Sequence, residues 1–247
     1  MRVTMQSLDG SAAAVVLVTG AGSGIGRATA IRLAASGRKV GLVGRGVRAI
    51  GEVAKEILAH GGTAVPLAAD VRSMESIESA AAALVEHFGR VDALVANAAI
   101  ADRLEFIEGQ PENWADVIQT NVLGVMYSAS AVLPHMLRQG AGHIIIVSSL
   151  AGRRTFVGQP AYVASKFATV AFADTLRKEL VDRNIRVGVV EPGLVDTPLS
   201  AIGPDIHGGD VTPLDPDDCA RIVQFMLDQP ANCAICEVAV RPARQML

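Results

Sequence analysis

The run Val15-Val16-Leu17-Val18-Thr19-Gly20-Ala21-Gly22-Ser23-Gly24-Ile25-Gly26 decides the fold. Its first four residues, all apolar and three of them valine, read as a strand buried on both faces. Glycines then recur at 20, 22, 24 and 26 and lead into helical periodicity over Ile25–Ser36. A strand, a glycine-rich turn and a helix in that order aim backbone N–H groups and the positive helix end at phosphate oxygens. Glycine serves where the backbone must approach a ligand closely or take a positive φ. No Gly-Lys-Ser or Gly-Lys-Thr follows, so this is not a Walker loop.

Outward from that run the pattern repeats. Strand-like runs lie at Lys39–Val43, Ala64–Ala69, Ala93–Ala96, Ile144–Val147, Ile185–Val190 and Ile235–Val240. Helix-like stretches lie at Arg48–Ala59, Met74–Phe88, Trp114–Leu137, Ala161–Arg183 and Asp217–Leu227. Apolar strands alternating with helices predict an α/β fold: one doubly wound domain with about seven parallel strands and helices on both faces. Pro111 and Pro216 suit first-turn positions, and Asp215 suits a cap. The expected layout is a loose tail over 1–11, one domain over 12–247, and a lid in the irregular Gly/Pro/Asp-rich stretch 192–213.

Composition narrows the function. In 247 residues there are 22 basic and 25 acidic side chains, and half of the chain is hydrophobic, which excludes a disordered protein. A formal charge of −3, with no basic runs and few aromatics, argues against nucleic acid as the main partner. Glycine follows no three-residue period, which excludes collagen. The uncharged stretch Val117–Leu137 carries Gln119, Asn121, Ser128, Ser130, Pro134 and His135, so a buried core helix is expected rather than a membrane span. Ala12–Val18 leads into the glycine turn without a cleavage-like site. A soluble, cytoplasmic protein is expected. Cys233 and Cys236 form a CxxC on an apparent strand with no second pair and no histidine nearby in sequence; it is read as chance, and no metal site is expected.

The second signal is Tyr162-Val163-Ala164-Ser165-Lys166, which contains one of only two tyrosines. On a helix, positions i and i+4 share a face, so phenol and ammonium point the same way. The segment follows the turn Gly158-Gln159-Pro160, where a helix begins.

The glycine turn at 19–26 and the Tyr-x-x-x-Lys at 162–166, in a chain of this length, resemble the short-chain dehydrogenase/reductase family. Further matching features are Asp70-Val71, Ala96-Asn97-Ala98-Ala99, Asn121, Ser148-Ser149 and the run Pro192-Gly193-Leu194-Val195-Asp196-Thr197. Within that family, Leu133-Pro134-His135-Met136, Ala151-Gly152-Arg153-Arg154 and Val240-Arg241-Pro242 resemble bacterial NADP-dependent enzymes acting on 3-hydroxy acids, serine or related small alcohols. The resemblance implies a Rossmann fold and a catalytic set of Asn121, Ser149, Tyr162 and Lys166, Ser149 being the serine thirteen residues before the tyrosine. It implies a nicotinamide dinucleotide held by Gly20, Gly22, Ser23, Gly24, Ile25, Gly26, Arg45, Asp70, Val71, Asn97, Ala98, Tyr162, Lys166, Pro192, Gly193, Val195 and Thr197. Asp70 is expected to accept from the adenine amino group. A small carbonyl or alcohol substrate and a homo-oligomer, tetramer or dimer, are also implied. One departure stands out: Ala99 adds a methyl where the family has glycine.

The chemistry gives the set a physical reason. Reducing a ketone needs a hydride at carbon and a proton at oxygen. Free tyrosine titrates near 10, too high for ready proton exchange at neutral pH. A cation ~5 Å away at an effective dielectric of ~20 favours phenolate by roughly 3 kcal/mol, about two pKa units. Lys166 can supply that cation; by the resemblance, Ser149 would hold the substrate oxygen and Asn121 would help to hold a water that links Lys166 to solvent. At Val43-Gly44-Arg45, Gly44 offers no carboxylate to a ribose hydroxyl, while Arg45 suits a 2′-phosphate, so NADP(H) is preferred to NAD(H). The other reading of Arg45 is a solvent-exposed arginine, and Arg48 reads as a water-facing helix residue. Arg153 or Arg154 either meets a substrate carboxylate or makes a salt bridge or subunit contact. The rival function is a non-catalytic dinucleotide sensor on the same fold, which would have no use for the tyrosine–lysine pair.

Overall fold

The computed structural model describes residues 14–201 and 211–246. The expected tail over 1–11 lies outside the described residues, as does the 202–210 part of the expected lid.

Seven strands form one sheet: β1 (Val15–Thr19), β2 (Lys39–Gly44), β3 (Thr63–Ala68), β4 (Ala93–Ala96), β5 (Gly142–Val147), β6 (Ile185–Pro192) and β7 (Glu237–Val240). Their order is β3-β2-β1-β4-β5-β6-β7, and every pairing is parallel. Among the described residues, seven α-helices cover it: α1 (Gly24–Ala35), α2 (Val47–Ala59), α3 (Met74–Phe88), α4 (Pro111–Ile118), α5 (Gly124–Gln139), α6 (Pro160–Leu180) and α7 (Pro216–Leu227). Alternation along β1 divides the core. Val15 and Leu17 join the layer that contains residues of α3, α5 and α6, whereas Val16 and Val18 join that of α1, α2 and α7. The sheet is therefore buried on both faces, as its apolar strands require. Only the edge strands β3 and β7 are largely half-exposed or exposed, and β3 carries Pro66 where an edge tolerates it.

Local chemistry sets the element ends. The Ser73 hydroxyl accepts from the Ser76 N–H at 3.2 Å to cap α3, and Gly89 closes that helix at φ 83°. Pro216 opens α7 behind an Asp215–Asp218 capping box.

Two expectations change. The long helix predicted over Trp114–Leu137 begins at Pro111 and is divided by a wide π turn, Gln119–Leu123. The last strand starts at Glu237 rather than Ile235, because its register with β6 begins at the Val189–Glu237 pair. Neither cysteine of the CxxC is therefore on a strand. Both are free, and arginines hold their carbonyls: Arg186 donates to Cys233 and Arg177 to Cys236. The run Pro111–Gln139 is long and apolar enough to cross a membrane by those criteria alone, but half of its apolar window is buried. Its α5 part packs on α3, β4 and β5 as a core helix.

The strand order reverses between β1 and β4. In such sheets a crevice opens there, beyond the carboxyl ends of the strands.

Candidate active site

The crevice is built by hydrogen bonds between its two walls. The buried Thr19 hydroxyl accepts from the Asn97 and Ala98 N–H groups at 3.0 and 3.1 Å. In return the Asn97 amide donates to the carbonyl of Thr19 at 3.0 Å. Gly20 turns the chain at φ +66° against Ala98. A Cβ on Gly26 would stand 2.2 Å from the Gly20 carbonyl oxygen, so only glycine lets α1 seat on this turn. The N-terminus of α1 has no side-chain cap and no acidic residue in its first turn, which leaves its positive end open to an anion.

A cleft of about 820 Å³ runs from this turn, lined by Ser23, Gly24, Arg45, Asp70, Val71 and Asn97. It adjoins a cavity of about 740 Å³ that holds Ser149, Tyr162 and Lys166; Ile25, Asn97, Ala99 and Thr197 line both. Ala99 has no positive φ, so its methyl enters the wall without left-handed strain.

Of the four expected catalytic residues, Ser149, Tyr162 and Lys166 line the cavity and Asn121 does not. Pro160 at the first turn of α6 sets the helix that carries Tyr162 and Lys166. The Lys166 Nζ lies 5.6 Å from the centre of the Tyr162 ring and donates to the carbonyl of Val147 at 3.1 Å. Burial pushes the Lys166 ammonium down to about 8. Burial also raises the Tyr162 phenol above its ordinary value, opposed by a hydrogen bond with Ser149 and by the charge of Arg103. Ser149 itself starts a short 3-10 turn, accepting from the Ala151 N–H at 3.1 Å.

Asn121 sits inside the π turn and lies buried beneath the cavity. Its amide donates to the Ile100 carbonyl and the Ser165 hydroxyl at 2.9 and 3.0 Å, and its oxygen accepts from the Ile100 N–H at 2.9 Å. These bonds tie the loop after β4 to α6.

Most of the remaining expected residues line the two spaces, whereas Gly22 and Gly26 belong to the glycine turn and line neither. Asp70 is gripped by Arg72, whose Nη2 donates to it at 2.8 Å, and this holds its carboxyl below the usual range. An adenine amino group would share an oxygen pair that already has partners. Val71 is buried and packs against Gly124, where a Cβ would meet it at 2.8 Å. Arg45 is exposed at the mouth of the cleft, and Arg48 pairs on the surface with Glu52. Pro192, Gly193, Val195 and Thr197 form the opposite wall of the cavity. Of the two arginines weighed for a substrate carboxylate, Arg153 is taken by Glu191 and Glu237 and Arg154 is exposed outside the cavity. The salt-bridge reading holds for Arg153.

Three residues of the site carry no sequence signal: Arg72, Arg103 and Gln245. The Gln245 side chain reaches back from near the C-terminus and accepts from the Leu194 N–H at 3.0 Å. Arg103 lies in an irregular loop between β4 and α4 with no patterned neighbour.

The short chain dehydrogenase family profile matches residues 14–203. The chain belongs to the short-chain dehydrogenase family. Members of this family are oxidoreductases that act on CH–OH groups with a nicotinamide cofactor. The chain is 35% identical over 255 residues to the NADP-dependent 3-hydroxy acid dehydrogenase of Schizosaccharomyces pombe, which covers 98% of this chain and 96% of that protein. Among solved structures it resembles the alcohol dehydrogenase of the archaeon Thermococcus sibiricus complexed with 5-hydroxy-NADP, at TM-score 0.87 and 30% identity over 95% of this chain and 98% of that one. The 3-ketoacyl-(acyl-carrier-protein) reductase of Brucella melitensis, complexed with NADH, matches at TM-score 0.86 and 30% identity over 97% of this chain and all of the other. Likeness of fold thus accompanies either cofactor.

Proposed function

We propose that this short-chain dehydrogenase is an NADP(H)-dependent oxidoreductase that interconverts a ketone or aldehyde with the corresponding alcohol, with Tyr162 as the acid and base. The observation that carries this reading is the convergence of Ser149, Tyr162 and Lys166 on a cavity continuous with the glycine-turn cleft.

The residues present fit a dinucleotide. The uncapped N-terminus of α1 suits a pyrophosphate, and the two Lys166 protons not given to Val147 suit ribose hydroxyls. Arg45 beside Gly44 suits a 2′-phosphate and supports NADP(H), as does the NADP dependence of the Schizosaccharomyces pombe relative. When bound, a reduced nicotinamide supplies the hydride to the carbonyl carbon and leaves oxidised. Tyr162 gives its phenolic proton to the carbonyl oxygen, and in alcohol oxidation the phenolate takes it back. Ser149 steadies the developing charge on that oxygen by a hydrogen bond. Lys166 and Arg103 favour the phenolate that remains. Asn121 holds the loop and helix that frame these groups.

The test is a panel of ketones, aldehydes, keto acids and hydroxy acids followed by nicotinamide absorbance. Turnover with NADPH on a carbonyl, lost in Tyr162→Phe, is expected. NADPH binding without turnover across the panel would favour the sensor instead.

A further inference from the structure

The cavity wall has an unbalanced charge. Among the described residues lining it, Lys166 and Arg103 are cationic, and none is aspartate or glutamate. Lys166 has its place beside Tyr162. Arg103 does not have one. Its Nη1 donates to the Ser200 carbonyl at 2.9 Å, a neutral partner. Its Nε is sealed from solvent with no hydrogen-bond partner among the described residues.

A guanidinium carries five donors in a rigid fork that matches a carboxylate, and a half-buried one without a counter-ion is costly. Burial depresses the Arg103 pKa, and among the described residues the charge that opposes this is the ionised Tyr162. The other arginine near this wall, Arg153, differs in having Glu191 and Glu237 as partners. A second polar group stands ready: Gln159, 3% exposed at the start of α6, lines the same cavity and forms no side-chain hydrogen bond with another described residue.

We infer that Arg103 binds the carboxylate of an anionic substrate, so that the carbonyl reduced beside Tyr162 belongs to a keto acid and the alcohol oxidised there to a hydroxy acid. This rests on the carbonyl–alcohol reading above and names its substrate class. Arg103 and Tyr162 line the same cavity and interact electrostatically, so substrate orientation and proton chemistry are coupled. A carboxylate on Arg103 offsets part of the charge that favours phenolate and keeps the Tyr162 proton available for reduction.

The test uses pyruvate, acetoacetate and levulinate, which place the carboxylate progressively further from the carbonyl, each beside its neutral methyl ester. The readout is the ratio of kcat/KM for acid over ester with NADPH. In the parent protein at least one acid is preferred. Arg103→Leu lowers that ratio roughly 10- to 100-fold, as loss of a hydrogen bond to a charged group requires, and Arg103→Lys recovers part of it. A ratio unchanged in Arg103→Leu overturns the proposal and leaves Arg103 as a staple to Ser200. Thermal melting of both variants separates misfolding from loss of recognition. Calorimetric titration of the same acids into the NADP+-loaded protein distinguishes the two failures. Acid binding lost in Arg103→Leu, with no turnover of any carbonyl, sinks the reductase reading and keeps the carboxylate site. Acid binding equal in both proteins, or absent from the parent, sinks the carboxylate site whatever the activity.

Discussion

The ammonium of Lys166 stands 5.6 Å from the centre of the Tyr162 ring, anchored to the Val147 carbonyl at the end of β5. One turn of α6 thus presents a phenol and a cation to one cavity, with the strand fixing the cation. Burial raises the phenol and lowers the ammonium to about 8. The phenol is therefore protonated at neutral pH and suited to give a proton. Reduction is expected to be flat with pH up to about 8 and to fall above it as the Lys166 charge is lost. Alcohol oxidation, which needs phenolate, is expected to rise with pH from neutral upward. Steady-state kcat/KM in both directions checks this, and matching profiles would refute it.

Tyr162→Phe removes the proton and leaves the ring. Turnover is expected to fall by at least the roughly 10²–10⁴-fold that positioned acids contribute, while the NADPH dissociation constant changes little. Fluorescence titration beside steady-state assays provides both quantities. Equal losses would contradict the assigned role.

Arg45→Ala is expected to weaken NADPH by about 10-fold or more while leaving NADH nearly unchanged, since a charge-assisted bond to phosphate contributes roughly 1.5–3 kcal/mol. A parallel change for both cofactors would place the 2′-phosphate elsewhere.

The glycine turn supplies a matched pair of stability tests. Gly26→Ala forces a methyl to within 2.2 Å of the Gly20 carbonyl oxygen; a loss of ~1–3 kcal/mol and weakened NADPH binding are expected. Gly51→Ala, in the interior of α2 with nothing within 4 Å, is expected to stabilise by about 0.5–1 kcal/mol. Urea denaturation measures both.

His143 on β5 is 1% exposed, and neither ring nitrogen has a partner among the described residues. Burial, aided by the Arg186 charge, lowers its pKa from 6.5 to about 3. Between those values the unfolded chain holds a proton that the folded protein refuses. The contribution of His143 to stability is therefore expected to be full above about 6.5 and to be lost on acidification by about 1.4 kcal/mol per pH unit until about 3. His143→Leu is expected to flatten that slope in urea titrations between pH 4 and 6.5, the window set by the two values. An unchanged slope would assign acid sensitivity to other groups.

What could be read from the sequence was local. The strand, turn and helix from Val15 to Ser36, the helix carrying Tyr162 and Lys166, and the Asp215–Pro216 start all depend on neighbours a few residues apart. The π turn at Gln119–Leu123 escaped because it answers to Asn121 bonding Ile100 and Ser165, 21 and 44 positions away. Gln245 meets Leu194 across 51 positions, and the start of β7 is set by its pairing with β6. Arg103 shows nothing in sequence because its meaning lies in the lack of a counter-charge among the described residues lining the cavity, visible only once that wall closes around it.

The crevice between β1 and β4 joins Thr19 to Asn97, residues 78 positions apart. Neither flank can hold a dinucleotide alone, so a growing chain is blind to its ligand until the fourth strand has emerged and docked. Nucleotide capture during refolding would then mark the moment when the central sheet is complete.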